Sequence, residues 1–345
     1  MSVFSLPLTL IDGSRARCQR QQRCGWGSHP YQWLLFACCL LLASVATADT
    51  GREQLQRMAD AMRSLSYQGT FVYTQGERAE TMRVTHGIVE GQSRERVSAL
   101  TGSSLELFRH GDQVVCLLPE ARRAIVGYQP RGLLPGALAD DLEGLPDYYT
   151  IHQGDHSRVA GRGASELRVE PEDGFRYGLR LWLDREHDVL LRSDLIGGDG
   201  KSVERILFTE FEIRDHVDPA VFEYSLDGID RVDEVMRAAV SEADSPGEPS
   251  VRPALPPGFT LIALDRSGDG EIEREHAVYS DGLASVSMFV DADASAVKEF
   301  PAVAGTDVLR MRSEVVGKYR VTVMGAVPAV TLEHMIDSLT AGGGS

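Results

Sequence analysis

The sequence predicts an α+β fold: one large, strongly curved antiparallel sheet with few helices to cover it, followed by a smaller α+β domain. Three observations carry this reading. The apolar period changes from that of a helix to two at Tyr67, and short alternating segments separated by Gly or Asp turns follow for about 150 residues. A stretch dense in proline then precedes a second set of alternating segments.

The first element is an export signal. Arg15, Arg17, Arg20 and Arg23 precede an apolar run from Trp33 to Ala43, and Ala46-Thr47-Ala48 offers a cleavage site. That run is too short to span a bilayer, so residues 1–48 read as a cleaved signal peptide and the mature chain as periplasmic. Four of the five cysteines lie in or before this run, which leaves Cys116 among Val114, Val115, Leu117 and Leu118 as a small apolar residue without an intrachain partner.

Next comes a helix, because Leu55, Met58, Met62 and Leu65 recur at three- and four-residue spacing with Arg52, Glu53, Arg57, Asp60 and Arg63 on other faces. Strands are expected at 69–75, 80–88, 105–109, 113–118 and 122–128. Leu133, Leu134, Leu138 and Leu142 mark a short helix or compact loop over 131–144. Strands resume at 148–153, 165–170 and 176–183, and a long hairpin pairs 189–196 with 203–213 through Gly197-Gly198-Asp199-Gly200. The domains expected are therefore 49–225, a linker over 226–258 with five prolines between 246 and 257, a second domain over 259–340, and a disordered tail over 341–345.

The composition excludes one function class directly. Thirty-five Lys and Arg stand against 51 Asp and Glu, a charge of −16, whereas a nucleic-acid binder needs clustered cations to neutralise phosphates. No motif rises to an enzyme, a metal site or a cofactor site. Gly197 to Ser202 ends like a phosphate loop but is followed by a strand, so it reads as a turn. Asp265, Ser267, Asp269, Gly270 and Glu273 follow the spacing of a calcium loop, yet His276 stands where a bidentate Glu belongs and strands flank it. His152 and His156 bracket Gly154-Asp155, which makes a turn and not a metal-binding helix face.

Two sets of residues point to binding. Phe71 and Tyr73 share one face of the first strand and are expected to point into the concavity of the sheet. Arg83, His86, Arg94 and Arg96 lie on two adjacent strands of an otherwise acidic chain and could receive an anionic lipid head group, or else form a solvated face paired with Glu80, Glu90 and Glu95.

Several pieces together resemble the family of sigma-E factor regulatory proteins RseB and MucB. They are Ser66 to Tyr73, Tyr148-Tyr149, Arg158 to Arg162, Asp173 to Tyr177 leading to Leu181 to Asp184, Leu255 to Phe259, and Tyr279 to Leu283. The resemblance implies an N-terminal domain similar to the lipoprotein carriers LolA and LolB, a large unclosed antiparallel barrel with covering helices, and a smaller C-terminal domain. It implies a non-enzymatic regulator that binds the periplasmic region of a single-span, RseA- or MucA-like anti-sigma factor and hinders its site-1 cleavage. Lipopolysaccharide or lipoprotein acyl chains would relieve the block. Tyr279, Ser280, Asp281 and Gly282 become the partner-binding candidates. A lipid or lipoprotein carrier is the alternative, and self-association is left open.

Overall fold

The computed structural model describes residues 51–111, 113–128, 145–234, 248–267, 274–292 and 309–341. The signal peptide, the 131–144 segment, the centre of the Asp265–His276 loop and the 342–345 tail lie outside the described residues, as does 235–247 of the expected linker.

Helix α1 (51–64) opens the described chain. The strands follow in order: β1 (Ser66–Gln75), β2 (Arg78–Val89), β3 (Gln92–Ala99), β4 (Glu106–His110), β5 (Gln113–Leu118), β6 (Arg123–Tyr128), β7 (Tyr149–Val159), β8 (Arg162–Pro171), β9 (Gly178–Asp184), β10 (Leu190–Ile196), β11 (Ser202–Arg214) and β12 (Arg231–Glu234). Together they form one sheet of twelve strands in the order β12-β6-β5-β4-β3-β2-β1-β11-β10-β9-β8-β7, open at both edges. Every neighbour is antiparallel except β12, which pairs in parallel with β6.

The inward face is the one that α1 covers. Leu55, Met58, Ala59 and Met62 of α1 are buried in the same cluster as Tyr67, Phe71, Leu167, Leu181, Leu183 and Phe208. Burying a side chain of this size stabilises by about 1.5–3 kcal/mol relative to exposing it, which is why the apolar residues of α1 recur at helical spacing. Phe71 is 2% exposed and lies 5.4 Å, ring to ring, from Phe208. Thr209 is an extra residue opposite the Thr70/Phe71 step, a bulge that bends the centre of the sheet.

On the outward face, charges are paired across strands. Asp194 accepts from both Arg192 and Arg205 at 2.6–2.9 Å, Glu166 pairs with Arg168 and Arg180, and Asp184 accepts two bonds from Arg162. The hairpin at Gly197 is a turn, with the Gly197 amide donating to the Lys201 carbonyl at 2.8 Å. His152 and His156 are not in a turn. They belong to the continuous strand β7, which absorbs Gly154 and Asp155 as an irregularity against β8.

The second sheet contains β13 (Thr260–Ser267), β14 (Arg274–Ser280), β15 (Ser285–Asp291), β16 (Arg310–Val316) and β17 (Tyr319–Gly325), ordered β13-β14-β15-β17-β16, with α2 (Ala329–Ala341) packed on one face. Asp265 pairs with His276 across β13 and β14, so strands flank that loop, and Glu275 accepts from Ser250 and Arg266.

The expected linker is structured at both ends. Its first part supplies β12. Its last part docks on the second sheet: Val251 and Leu255 pack on that core, and the Ala254 amide donates to Ser338 Oγ at 2.8 Å. The segment 248–257 is therefore held more firmly than its composition suggests, because apolar residues between the prolines find a surface to cover.

Candidate functional site: the junction of the two sheets

Four short segments, far apart in sequence, converge at one end of the large sheet. They are Tyr148-Tyr149 at the start of β7, Asp173 to Tyr177 between β8 and β9, Pro257 to Phe259 before β13, and Ser280 to Leu283 between β14 and β15.

Arg176 is the centre, and its side chain is fully buried. Its Nε donates to Asp173 Oδ1 at 3.1 Å, its Nη1 lies 3.0 Å from Asp281 Oδ2, and its Nη2 donates to the Pro257 carbonyl. The rings of Tyr148, Tyr149 and Phe259 stand 4.9, 5.4 and 5.3 Å from the guanidinium carbon. A charge this deep is tolerable only when paired and hydrogen-bonded, and aromatic faces add cation–π attraction.

Asp281 is equally buried and divides its two oxygens. Oδ1 accepts from the amides of Leu283 and Ala284 at 2.9 and 2.7 Å, which holds its own turn. Oδ2 accepts from the Tyr149 hydroxyl at 2.8 Å and faces Arg176. Burial and that carboxylate push the Tyr149 phenol far above its ordinary range, so it remains a donor. Gly258 has a φ of +82°, and a Cβ there would sit 2.4 Å from the Tyr148 ring, so only glycine fits. Leu283 packs against the core of the large sheet, and Thr331 Oγ1 at the start of α2 donates to the Phe175 carbonyl at 2.5 Å. Hydrogen bonds, an ion pair and apolar contacts therefore cross between the two sheets here.

The predicted partner-binding residues are used inside the chain. Tyr279 is 2% exposed in the second core, Ser280 Oγ donates to the Ala284 carbonyl and accepts from the Gly282 amide, and Asp281 ties the sheets together. The Ser280 and Asp281 side chains are thus engaged in hydrogen bonds within the chain and Tyr279 is buried, while Gly282 is half-exposed.

The basic cluster is also taken apart by the structure. Strand parity sends Arg83 and its neighbours on β3, Arg94 and Arg96, to one face and His86 to the other, where it pairs with Glu95. His86 is 1% exposed. One ring nitrogen meets the Leu65 carbonyl and the other Ser93 Oγ, both at 2.7 Å, and its ring stacks on Tyr67 at 4.8 Å. Burial lowers its pKa to about 4, so it stays neutral at pH 7. The segment after β11 covers the other two: Arg96 donates to Glu106 and to the Val221 carbonyl and lies over Phe108, and Arg94 faces Glu223 at 3.8 Å. Arg83 alone of the four is exposed, and it lines a polar cleft of about 720 Å³ with Gln68, Thr70, Glu210 and Arg214.

Phe71 and Tyr73 do share the inward face. Phe71 is core, whereas Tyr73 is half-buried and donates to Glu204 Oε2 at 2.8 Å. Cys116 is half-buried, and burial pushes its thiol up to about 11, which keeps it from acting as a thiolate.

Arg176 escaped notice as a site residue, although the signal was present. Tyr148-Tyr149, Asp173 to Tyr177, Leu255 to Phe259 and Tyr279 to Leu283 are four of the segments that carry the family resemblance, and all four meet at this junction.

Comparison with known proteins agrees with that convergence. Residues 50–226 match the MucB/RseB N-terminal domain and residues 251–340 the MucB/RseB C-terminal domain. The chain is 31% identical over 316 residues to the sigma factor AlgU regulatory protein MucB of Pseudomonas aeruginosa, covering 89% of this chain and 96% of that one. It is 25% identical to the sigma-E factor regulatory protein RseB of Haemophilus influenzae, covering 90% and 98%. Among solved structures, the crystal structure of MucB matches with a TM-score of 0.60 at 28% identity, over 84% of this chain and 97% of that one. The crystal structure of MucB in complex with MucA(peri) matches with a TM-score of 0.59 at 28% identity, over 83% and 96%. With both of its domains matched in order and nearly the full length of these relatives covered, the chain belongs to the MucB/RseB family.

Proposed function

We propose that this protein is a periplasmic negative regulator of an envelope-stress sigma factor. It binds the periplasmic region of a single-span, MucA-like anti-sigma factor and hinders the first cleavage of that factor. The observation that carries this reading is the likeness across both domains to a MucB solved with MucA(peri). The junction supports it, because Arg176 and Asp281 hold the two sheets as one unit on which an extended segment could be gripped by both.

Relief of the grip is assigned to an acyl chain from lipopolysaccharide or lipoprotein. The apolar inward face is filled by Leu55, Met58 and Met62 of α1, so a chain enters by displacing that helix, with about 0.8 kcal/mol gained per methylene removed from water.

The test is a cleavage assay. The mature protein at saturation should protect the periplasmic region of the anti-sigma factor from the site-1 protease, and an acylated ligand should restore cutting. Unaltered cutting at saturating protein would sink the regulatory reading.

A further inference from the structure

Beyond Phe71 on the inward face of β1 the apolar lining ends abruptly. Tyr73 and Gln75 follow at period two, and Glu204 faces them from β11, where it is directly opposite Gln75. Gln75 is 3% exposed, yet neither its amide oxygen nor its amide nitrogen has a hydrogen-bond partner. Leaving such groups dry is costly, so a glutamine here in place of a leucine calls for a partner outside the chain. Tyr73 donates its only proton to Glu204, and burial raises the Glu204 pKa, so that carboxyl also resists charge.

We propose that Tyr73, Gln75 and Glu204 form a subsite for an uncharged group that donates and accepts at once, a secondary amide at the head of an acyl chain. The Gln75 amide is complementary to such a group, its N–H facing the ligand carbonyl and its C=O the ligand N–H. The apolar lining from Phe71 and Phe208 runs up to this point and receives the chain. A phosphate is disfavoured by the same residues, because its charge would leave water for a buried site that offers it no cation and that Glu80 borders. This rests on the acyl-binding reading of the inward face and names the head group that the face selects.

The experiment titrates the full mature chain with N-methyl lauramide, methyl laurate and lauryl phosphate, in wild type, Gln75→Leu and Glu204→Gln. The proposal expects the amide to bind roughly tenfold more tightly than the ester, with the phosphate weakest. Gln75→Leu should abolish the preference for amide over ester, leave ester binding intact and raise the melting temperature, since an apolar side chain of similar length relieves the unpaired amide. Glu204→Gln should keep ester binding and recover part of the lauryl phosphate affinity. Equal binding of amide and ester by wild type would overturn the subsite while the acyl-binding reading stands, and would mean that a buried water satisfies Gln75. No binding of any probe would overturn the acyl-binding reading and the subsite with it. A destabilised Gln75→Leu would also count against the subsite, because it would show that the amide already has a structural partner.

Discussion

The junction and the far end of the inward face both bury polar side chains, and they do so in opposite ways. At the junction Arg176 meets Asp173, Asp281 and a carbonyl, and three rings enclose the remainder. At the end of β1 the amide of Gln75 meets nothing. A charge-compensated network makes one geometry cheap and every other costly, so it serves to join. An unpartnered amide is costly in every geometry until a partner arrives, which is what suits it to the proposed subsite. The difference is legible from partners alone, without reference to burial, which is nearly complete in both places.

The largest effect should come from breaking the charge-compensated network. Asp281→Ala leaves the buried Arg176 charge with Asp173 as its one carboxylate partner and should cost about 3–5 kcal/mol in denaturant unfolding, with new protease cutting near residues 248–258. Replacing both members of the fully buried pair, Arg176→Met with Asp281→Leu, should recover much of that loss, because the charge that remains, Asp173, is partly exposed to water. A single mutant with wild-type stability would show that the sheets are held elsewhere.

Acid offers a second way to sharpen the comparison, since it charges two buried histidines with opposite surroundings. His86 has both ring nitrogens bonded, whereas His276 has neither and stacks on Phe289 at 4.2 Å. Burial lowers both to about 4 from an ordinary 6.5. Their neutral forms therefore favour the fold fully above pH 6.5, and that contribution is lost as pH falls from 6.5 towards 4, by at most about 1.4 kcal/mol per pH unit for each ring. His276→Phe should flatten part of the slope at little cost at pH 7. His86→Phe should flatten another part but destabilise at pH 7, because Leu65 O and Ser93 Oγ lose a partner. Equal costs at pH 7 would erase the distinction.

Tyr73→Phe should have a smaller effect, about 1–2 kcal/mol of destabilisation in thermal unfolding, because it leaves Glu204 without its donor. The effect should shrink at low pH, where the carboxyl is protonated and accepts a weaker, neutral hydrogen bond. Arg83→Gln should be the smallest, under about 0.5 kcal/mol, as the side chain is exposed and forms no ion pair among the described residues. A loss above 1 kcal/mol would place Arg83 in a network that its exposure does not suggest.

Periodicity by itself determined much of this protein. Leu55, Met58 and Met62 mark α1 because a helix covering a sheet must be apolar on one face, and the alternation from Tyr67 onward marks the strands because a half-buried sheet must alternate. Phe71 and Tyr73 could be assigned a common face for the same reason. What lay beyond reach was pairing between distant segments. That His86 turns away from Arg83, Arg94 and Arg96 follows from parity along β2 and register with β3, but that Val221 and Glu223 return to cover Arg96 and Arg94 does not, since they lie some 125 residues on. Likewise Arg176 and Asp281 each sit in an ordinary turn sequence, Asp-Gly-Phe-Arg and Ser-Asp-Gly-Leu. Only the meeting of the two sheets makes them a buried pair, because burial and charge compensation are properties of a place in space, and local sequence specifies hydrogen bonds and side-chain direction over a few residues but not which distant segment will arrive to complete them.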